Sequence, residues 1–329
     1  MYQTPIPVLV LFGPTASGKT NVLLRLFDKG SKAEVISADS MQVYRGMDIG
    51  TAKPSAKEIA QLPHHLIDIR NPDEQFNAGD FVRLASAAIM EIAGRGAVPV
   101  VSGGTGFYLK NLILGLPQAP PSDEVIRSKL RQELQEKGSA PLIQELARFD
   151  PISAERIHPN DEYRLLRALE VLRLCGKPLS SFSVSGAPAA DEDARFRSLC
   201  NFRIIGLSRP REELYSRIND RCAAMFSQGL PDEVRRLYES GYTPRDPGLR
   251  AIGYREFFAE DPSSEEGEPG RYRLLHDNAG IQALVQQNSR RYAKRQMTFF
   301  ASLPGAQWIE AGEDDAQTAE QIKKLGIRS

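Results

Sequence analysis

The sequence predicts an α/β protein: a P-loop NTPase-like core with a parallel sheet, interrupted by a helical insertion. Three observations predict it. Val8-Leu9-Val10-Leu11-Phe12 is a continuous apolar run, as expected of a strand buried on both faces. It leads directly into Gly13-Pro14-Thr15-Ala16-Ser17-Gly18-Lys19-Thr20, a GxxxxGK[ST] loop, and then into a helix-like stretch from about Lys19 to Asp28. Further short apolar strands alternate with helical segments, the order that builds a parallel sheet with crossover helices.

A second strand is expected at 34–38 (EVISA), ending at Asp39, and a third at 98–101 (VPVV), ending in Ser102-Gly103-Gly104. Residues 202–207 (FRIIGL) supply a fourth. Between about 122 and 197 the chain is helical, rich in Arg, Glu and Leu, and lacks strand patterns. The expected division is therefore a core of 1–121 and 198–329 with a helical insertion at 122–197. The tail of the insertion, 183–194, reads as a linker, and the acidic, turn-rich stretch 260–270 reads as an exposed loop.

Composition narrows the function classes. With 329 residues, 41% of them hydrophobic, the chain can bury a sizeable core. Lys plus Arg and Asp plus Glu both total 42, so any nucleic-acid site must be a local basic face. Cys175, Cys200 and Cys222 are widely spaced and odd in number, which suggests neither a disulfide framework nor a CxxC metal site. No stretch approaches the roughly 18 apolar residues of a membrane span. The N-terminus lacks a signal-peptide pattern, so a cytoplasmic protein with no membrane partner is expected.

The glycine-rich loop lets backbone N–H groups turn inward around phosphate oxygens, and the following helix N-terminus adds its positive end. Lys19 can reach an outer phosphate and Thr20 can offer its hydroxyl to Mg²⁺. The loop indicates a phosphorylated ligand without saying which. Asp39 stands at the carboxyl end of a parallel strand, facing the ligand crevice. It suits a general base as well as it suits a turn or helix-cap aspartate. On the helix predicted over 211–228, Leu214, Ile218, Cys222, Met225 and Phe226 form the buried stripe. Arg217 and Arg221 lie one turn apart on a neighbouring face, either solvated or reaching a phosphate.

One stretch, 37–54 (SADSMQVYRGMDIGTAKP), closely resembles the signature of tRNA dimethylallyltransferases, the isopentenyl-tRNA transferases, of bacterial type. The GPTASGKT loop is also the family's. In the family's order follow PHHLIDI from Pro63, GGTGFYLK from Gly103, HPNDEYRLLRALEV from His158, RINDRCAAMFSQGL from Arg217, RAIGYREF from Arg250 and RRYAKRQMTFF from Arg290. Phe299 stands where many members have Trp, and Phe107 where an aliphatic residue is common.

The resemblance implies transfer of a dimethylallyl group from dimethylallyl diphosphate to N6 of the adenosine beside the anticodon of tRNA, with release of diphosphate. It implies Asp39 as general base, Thr105 close to the reacting adenosine, and Arg221 with residues 13–20 and Mg²⁺ holding the diphosphate. As tRNA contacts it implies Asp39, Ser40, Met41, Gln42, Thr105, Tyr163, Arg164, Arg167, Arg250, Gly253, Tyr254, Arg255, Lys294 and Arg295, with Arg127 a further candidate. A monomer is expected. A P-loop small-molecule or nucleotide kinase is the alternative. It needs ATP and an acid for Mg²⁺, and leaves the RNA-matched segments without a purpose.

Overall fold

The computed structural model describes residues 5–27, 30–182, 192–261, 271–312 and 314–326. Most of the expected linker and of the expected acidic loop therefore lie outside the described residues. The exception is the linker's end: 192–194 open a helix, α9 below. The chain falls into two compact units, Met1–Ile113 with Phe196–Ser329, and Leu114–Arg195.

In the first unit the strands are β1 (Ile6–Phe12), β2 (Ala33–Ser37), β3 (His64–His65) and β4 (Val98–Gly103), later joined by β5 (Cys200–Ser208) and β8 (Gln307–Glu310). They form one sheet in the order β3-β2-β4-β1-β5-β8, with every pairing parallel. A two-stranded antiparallel ribbon, β6 (Phe258–Glu260) and β7 (Tyr272–Leu274), stands apart from it. The helices of this unit are α1 (Lys19–Leu26), α2 (Ala56–Gln61), α3 (Ala78–Gly94) and α4 (Gly106–Leu114), then α10 (Arg211–Ser227), α11 (Leu230–Glu239), α12 (Asn278–Phe300) and α13 (Asp315–Lys324).

β1 is central because its residues suit nothing else: Val8, Val10, Leu11 and Phe12 have no exposed surface. Each such side chain contributes about 1.5–3 kcal/mol of burial. The apolar face of α1 (Val22, Leu23, Leu26) packs with Leu9, Leu11, Val35, Val100 and Ile205 of the sheet and with Ala319 and Ile322 of α13. α1 starts where it does because Gly18 has φ 96°, a left-handed conformation that breaks the strand-to-helix turn cleanly and that side chains with a Cβ resist.

The second unit is helical throughout its regular part: α5 (Glu124–Lys137), α6 (Ser139–Phe149), α7 (Pro151–Arg156) and α8 (Glu162–Cys175), with α9 (Glu192–Leu199) at its C-terminal boundary. Leu130, Leu142, Leu146, Leu165, Leu166 and Leu169 fill its core. It begins at 114 and not at 122, and the chain before α5 is tied to α8. Ser122 Oγ and the Asp123 N–H both donate to Glu170 Oε1, at 2.5 and 2.7 Å, and Arg167 donates to the Pro120 carbonyl. Among the described residues no helix is long and apolar enough to cross a membrane.

Candidate active site

β2, β4 and β1 are neighbours in the sheet, so their carboxyl ends present Asp39, Thr105 and the phosphate loop side by side. Ligands of open α/β sheets bind along this edge. The loop is held from outside by two arginines that sequence reading does not single out as its supports. Arg209, fully enclosed, donates through Nε to the Ser17 carbonyl at 3.0 Å and through NH1 to Gly312 O at 2.9 Å. Arg217 Nε donates to Ala16 O at 3.0 Å. With those carbonyls committed outward, and with Ala16 (φ 63°) and Gly18 both left-handed, the loop is shaped to turn amides toward a phosphate. Lys19 Nζ donates to Gly13 O and Pro14 O, at 2.9 and 3.0 Å.

The acceptor side is built on an unusually close approach. A Cβ on Gly103 would lie 2.1 Å from the Ala38 carbonyl oxygen, so only glycine lets β4 sit this near the end of β2. The Thr105 N–H donates to that carbonyl at 3.1 Å, and Thr105 Oγ1 accepts the Ser40 N–H at 3.0 Å. Asp39 is thereby fixed beside Thr105. Its Oδ1 accepts the Met41 and Gln42 N–H groups at 2.9 and 3.4 Å, an Asx-type turn. Among the described residues Oδ2 has no protein partner, which leaves one carboxylate oxygen available to a ligand.

α10 buries Leu214, Ile218, Cys222 and Met225, as its spacing predicts. Phe226 departs from the expected stripe: it is only half-buried and stacks on Phe257 at 5.7 Å. The same helix carries Arg217 and Arg221 over the phosphate loop. Burial lowers the Arg221 guanidinium from its ordinary value, and the Asp39 carboxylate opposes that shift. Burial, helped by the Arg221 charge, pulls the Lys19 ammonium down to about 8.

Two cavities meet here. One of about 510 Å³ lies over the phosphate loop, lined by Lys19, Thr20, Arg217 and Asp220 among others. The other, about 300 Å³, is walled by Met41, Met225 and Val285 and rimmed by Arg250 and Arg295. Thr15, Asp39, Arg221 and Tyr292 line both, so a carboxylate and a guanidinium stand together at the junction.

Of the residues expected to contact RNA, Ser40, Met41, Arg250, Gly253 and Arg295 line the second cavity, and Lys294 is exposed on α12. Arg255 is half-exposed and pairs with Glu256 at 3.3 Å. Gln42 lines the first cavity, but its amide is engaged internally: Oε1 accepts Ser37 Oγ at 2.9 Å, and Nε2 donates to Thr51 O and Ala52 O at 3.3 and 3.2 Å. Tyr254 has to be corrected. It is 0% exposed, and its hydroxyl donates to Glu233 Oε1 at 2.6 Å. Glu233 also accepts the N–H groups of Asp48, Ile49 and Gly50, so Tyr254 belongs to a buried latch on that loop.

In the second unit Arg127 and Arg167 are likewise corrected, because both serve as internal counterions. Arg167 lies 2.9 Å and Arg127 3.5 Å from the buried Glu170 carboxylate. Arg127 also caps the ring of Tyr163, 4.7 Å from its centroid, while Tyr163 and Arg164 remain exposed.

Two site residues escape sequence reading. Gln296 Oε1 accepts the Thr15 N–H at 3.0 Å, and its Nε2 donates to Gly104 O at 2.8 Å. Tyr292, one turn earlier on α12, lines the first cavity together with Gln296. Burial and then the Asp39 carboxylate push its phenol up to about 12, so it stays protonated. Their only sequence signal is membership of the basic 290–300 segment.

A family model described as IPP transferase matches residues 42–303. The tRNA dimethylallyltransferase of Geobacter sulfurreducens is 43% identical over 307 residues, covering 92% of this chain and 91% of that protein. The tRNA dimethylallyltransferase 1 of Trichlorobacter lovleyi is 44% identical over 309 residues, covering 94% and 95%. Among solved structures, the tRNA isopentenylpyrophosphate transferase of Bacillus halodurans superimposes with a TM-score of 0.65 at 36% identity, covering 97% of this chain and 95% of that one.

Proposed function

The chain belongs to the tRNA dimethylallyltransferase (IPP transferase) family, and we propose that it transfers a dimethylallyl group from dimethylallyl diphosphate to N6 of an adenosine beside the anticodon of tRNA. The observation that carries this assignment of roles is the shared wall of the two cavities. A donor whose diphosphate lies on the loop of residues 13–20 directs its allylic carbon toward Asp39. An adenine entering through the second cavity meets that carbon at the same place.

In the reaction the N6 lone pair attacks the allylic carbon, the carbon–oxygen bond breaks, and diphosphate departs. The N6 proton passes to the free oxygen of Asp39. A positioned base contributes about 10²–10⁴-fold, and it matters here because the exocyclic amine is a weak nucleophile. Lys19 and Arg221 face the leaving oxygens and balance the charge that grows on them. An adenine stacked in an anticodon loop has to be extracted to reach this junction.

Mg²⁺ fits the donor cavity. Thr20 brings its hydroxyl to the first turn of α1, and Asp220 lines the same space. Among the described residues no cluster of three or more His, Cys, Asp or Glu could hold an ion alone. An ion there would take its other ligands from diphosphate oxygens and water, the usual habit of Mg²⁺. Bound so, it would neutralise charge on the departing diphosphate.

The test is incubation with labelled dimethylallyl diphosphate and either unmodified tRNA, free AMP, or a small metabolite with ATP. Label on an adenosine of tRNA is expected. Label on AMP alone, or phosphoryl transfer from ATP, overturns the assignment.

A further inference from the structure

We propose that Phe107, Lys110 and Phe299 form a stacking platform for the unpaired nucleotide next to the extracted adenosine, an inference that rests on the RNA-modifying role above. α4 starts hard against the end of α12: a Cβ on Gly106 would lie 2.4 Å from Phe299 Cδ1. The inward face of α4 is Tyr108, Leu109 and Leu112, all buried. Phe107 is left on the outside, 56% exposed, and Lys110 follows one turn later on its side of the helix. Lys110 Nζ stands over the Phe299 ring, 5.8 Å from its centroid.

This patch continues from the active site. Phe107 is two residues beyond Thr105, which is bonded to Ser40. Arg295, on the rim of the second cavity, precedes Phe299 by four residues and so lies on the same face of α12. Neither α4 nor α12 contains a single Asp or Glu, so no carboxylate of these two helices offsets the charge of Lys110 and Arg295.

A lone exposed phenylalanine needs no explanation. An exposed ring beside a cation-capped one, two residues along the chain from Thr105, has the composition of a single-strand stacking surface. The chemistry also requires such a surface. Extracting an adenine leaves the adjoining base without its stacking partner, and an aromatic face beside the cavity mouth replaces it. The positive charge selects a polyanion over an apolar protein segment.

The experiment uses the full chain and two anticodon stem-loop RNAs, each with 2-aminopurine on one side of the acceptor adenosine. Binding is expected to change the fluorescence of one of them, and Phe107→Ala to abolish that change. The same variant should raise the KM for tRNA about 5- to 150-fold, the range of one lost base–aromatic stack. The KM for dimethylallyl diphosphate should stay in place, and Phe107→Tyr should restore the KM for tRNA. Lys110→Ala should lower the salt dependence of binding by about one phosphate contact.

Stem-loop affinity within twofold of wild type in Phe107→Ala overturns the platform, as does unchanged fluorescence at both flanking positions. The two levels of inference separate. Phe107-dependent binding without alkylation keeps the platform and removes the transferase assignment. Alkylation with Phe107-independent binding does the reverse.

Discussion

Gln296 holds Thr15 by its backbone N–H at 3.0 Å and, with the other end of the same amide, holds the Gly104 carbonyl at 2.8 Å. One side chain of α12 therefore sets the spacing between the glycine-rich loop of residues 13–20 and the turn that carries Thr105. A misplacement of about 1 Å at a reacting centre costs on the order of 10²-fold. Gln296→Leu is expected to lower kcat for tRNA alkylation about 10- to 100-fold. It should also lose about 1–3 kcal/mol of stability from two partly buried hydrogen bonds. Steady-state kinetics and denaturant unfolding check both. Wild-type kcat would show that the spacing does not depend on this residue.

Asp39→Asn keeps the Oδ1 acceptor for the Met41 N–H and so preserves the turn while removing the base. Single-turnover transfer from dimethylallyl diphosphate should fall about 10²–10⁴-fold, with tRNA affinity close to wild type. Near-normal turnover would remove Asp39 from the role of base.

What was legible follows from which interactions are local. The phosphate loop, the position of Asp39 and the GGTG turn could be read because each is a strand end followed by residues of special backbone geometry. Gln296 was not legible as a brace, since its partners lie 281 and 192 residues away and nothing in its neighbourhood distinguishes it from a surface amide. Tyr254 is deceptive for the converse reason. Set between Arg250 and Arg255 it resembles a nucleic-acid contact, and only its packing against Gly50, where a Cβ would lie 2.5 Å from its ring, reveals it as core. Arg127 and Arg167 look free until the packing of α5 on α8 brings both to Glu170. The edge strand β8 has only four residues and an exposed Trp308, too weak an alternation to identify.

Donor binding should depend on pH through Lys19. In the free protein its ammonium titrates at about 8, lowered by burial and by Arg221. A diphosphate beside it favours the charged form and raises that value. The complex therefore holds a proton that the free protein loses above pH 8, so affinity should fall as pH rises through 8. Calorimetry at pH 8.5 in two buffers of different ionisation enthalpy should detect proton uptake on donor binding (the pH is chosen about half a unit above the Lys19 value). Lys19→Met should abolish that uptake, and uptake persisting in the variant would place the titrating group elsewhere.

Glu170 anchors the helical unit from within. It has no exposed surface, and it accepts Ser122 Oγ, the Asp123 N–H and the guanidinium groups of Arg127 and Arg167. Burial pushes its pKa up, but the hydrogen bonds from Ser122 and Arg167 outweigh that and hold it below the ordinary glutamate value. A lowered carboxylate pKa means that its contribution is present above the unfolded-state pKa and is lost as pH falls through the folded one. Glu170→Ala leaves Arg127 buried without a counterion, a change that costs about 3–5 kcal/mol when one partner of a buried pair is removed. Arg167→Ala should cost less, because Arg127 and Ser122 still satisfy the carboxylate and Arg167 is partly solvated. Urea unfolding of the two variants at neutral pH tests the order, and equal losses would show that Glu170 is not the centre of this network.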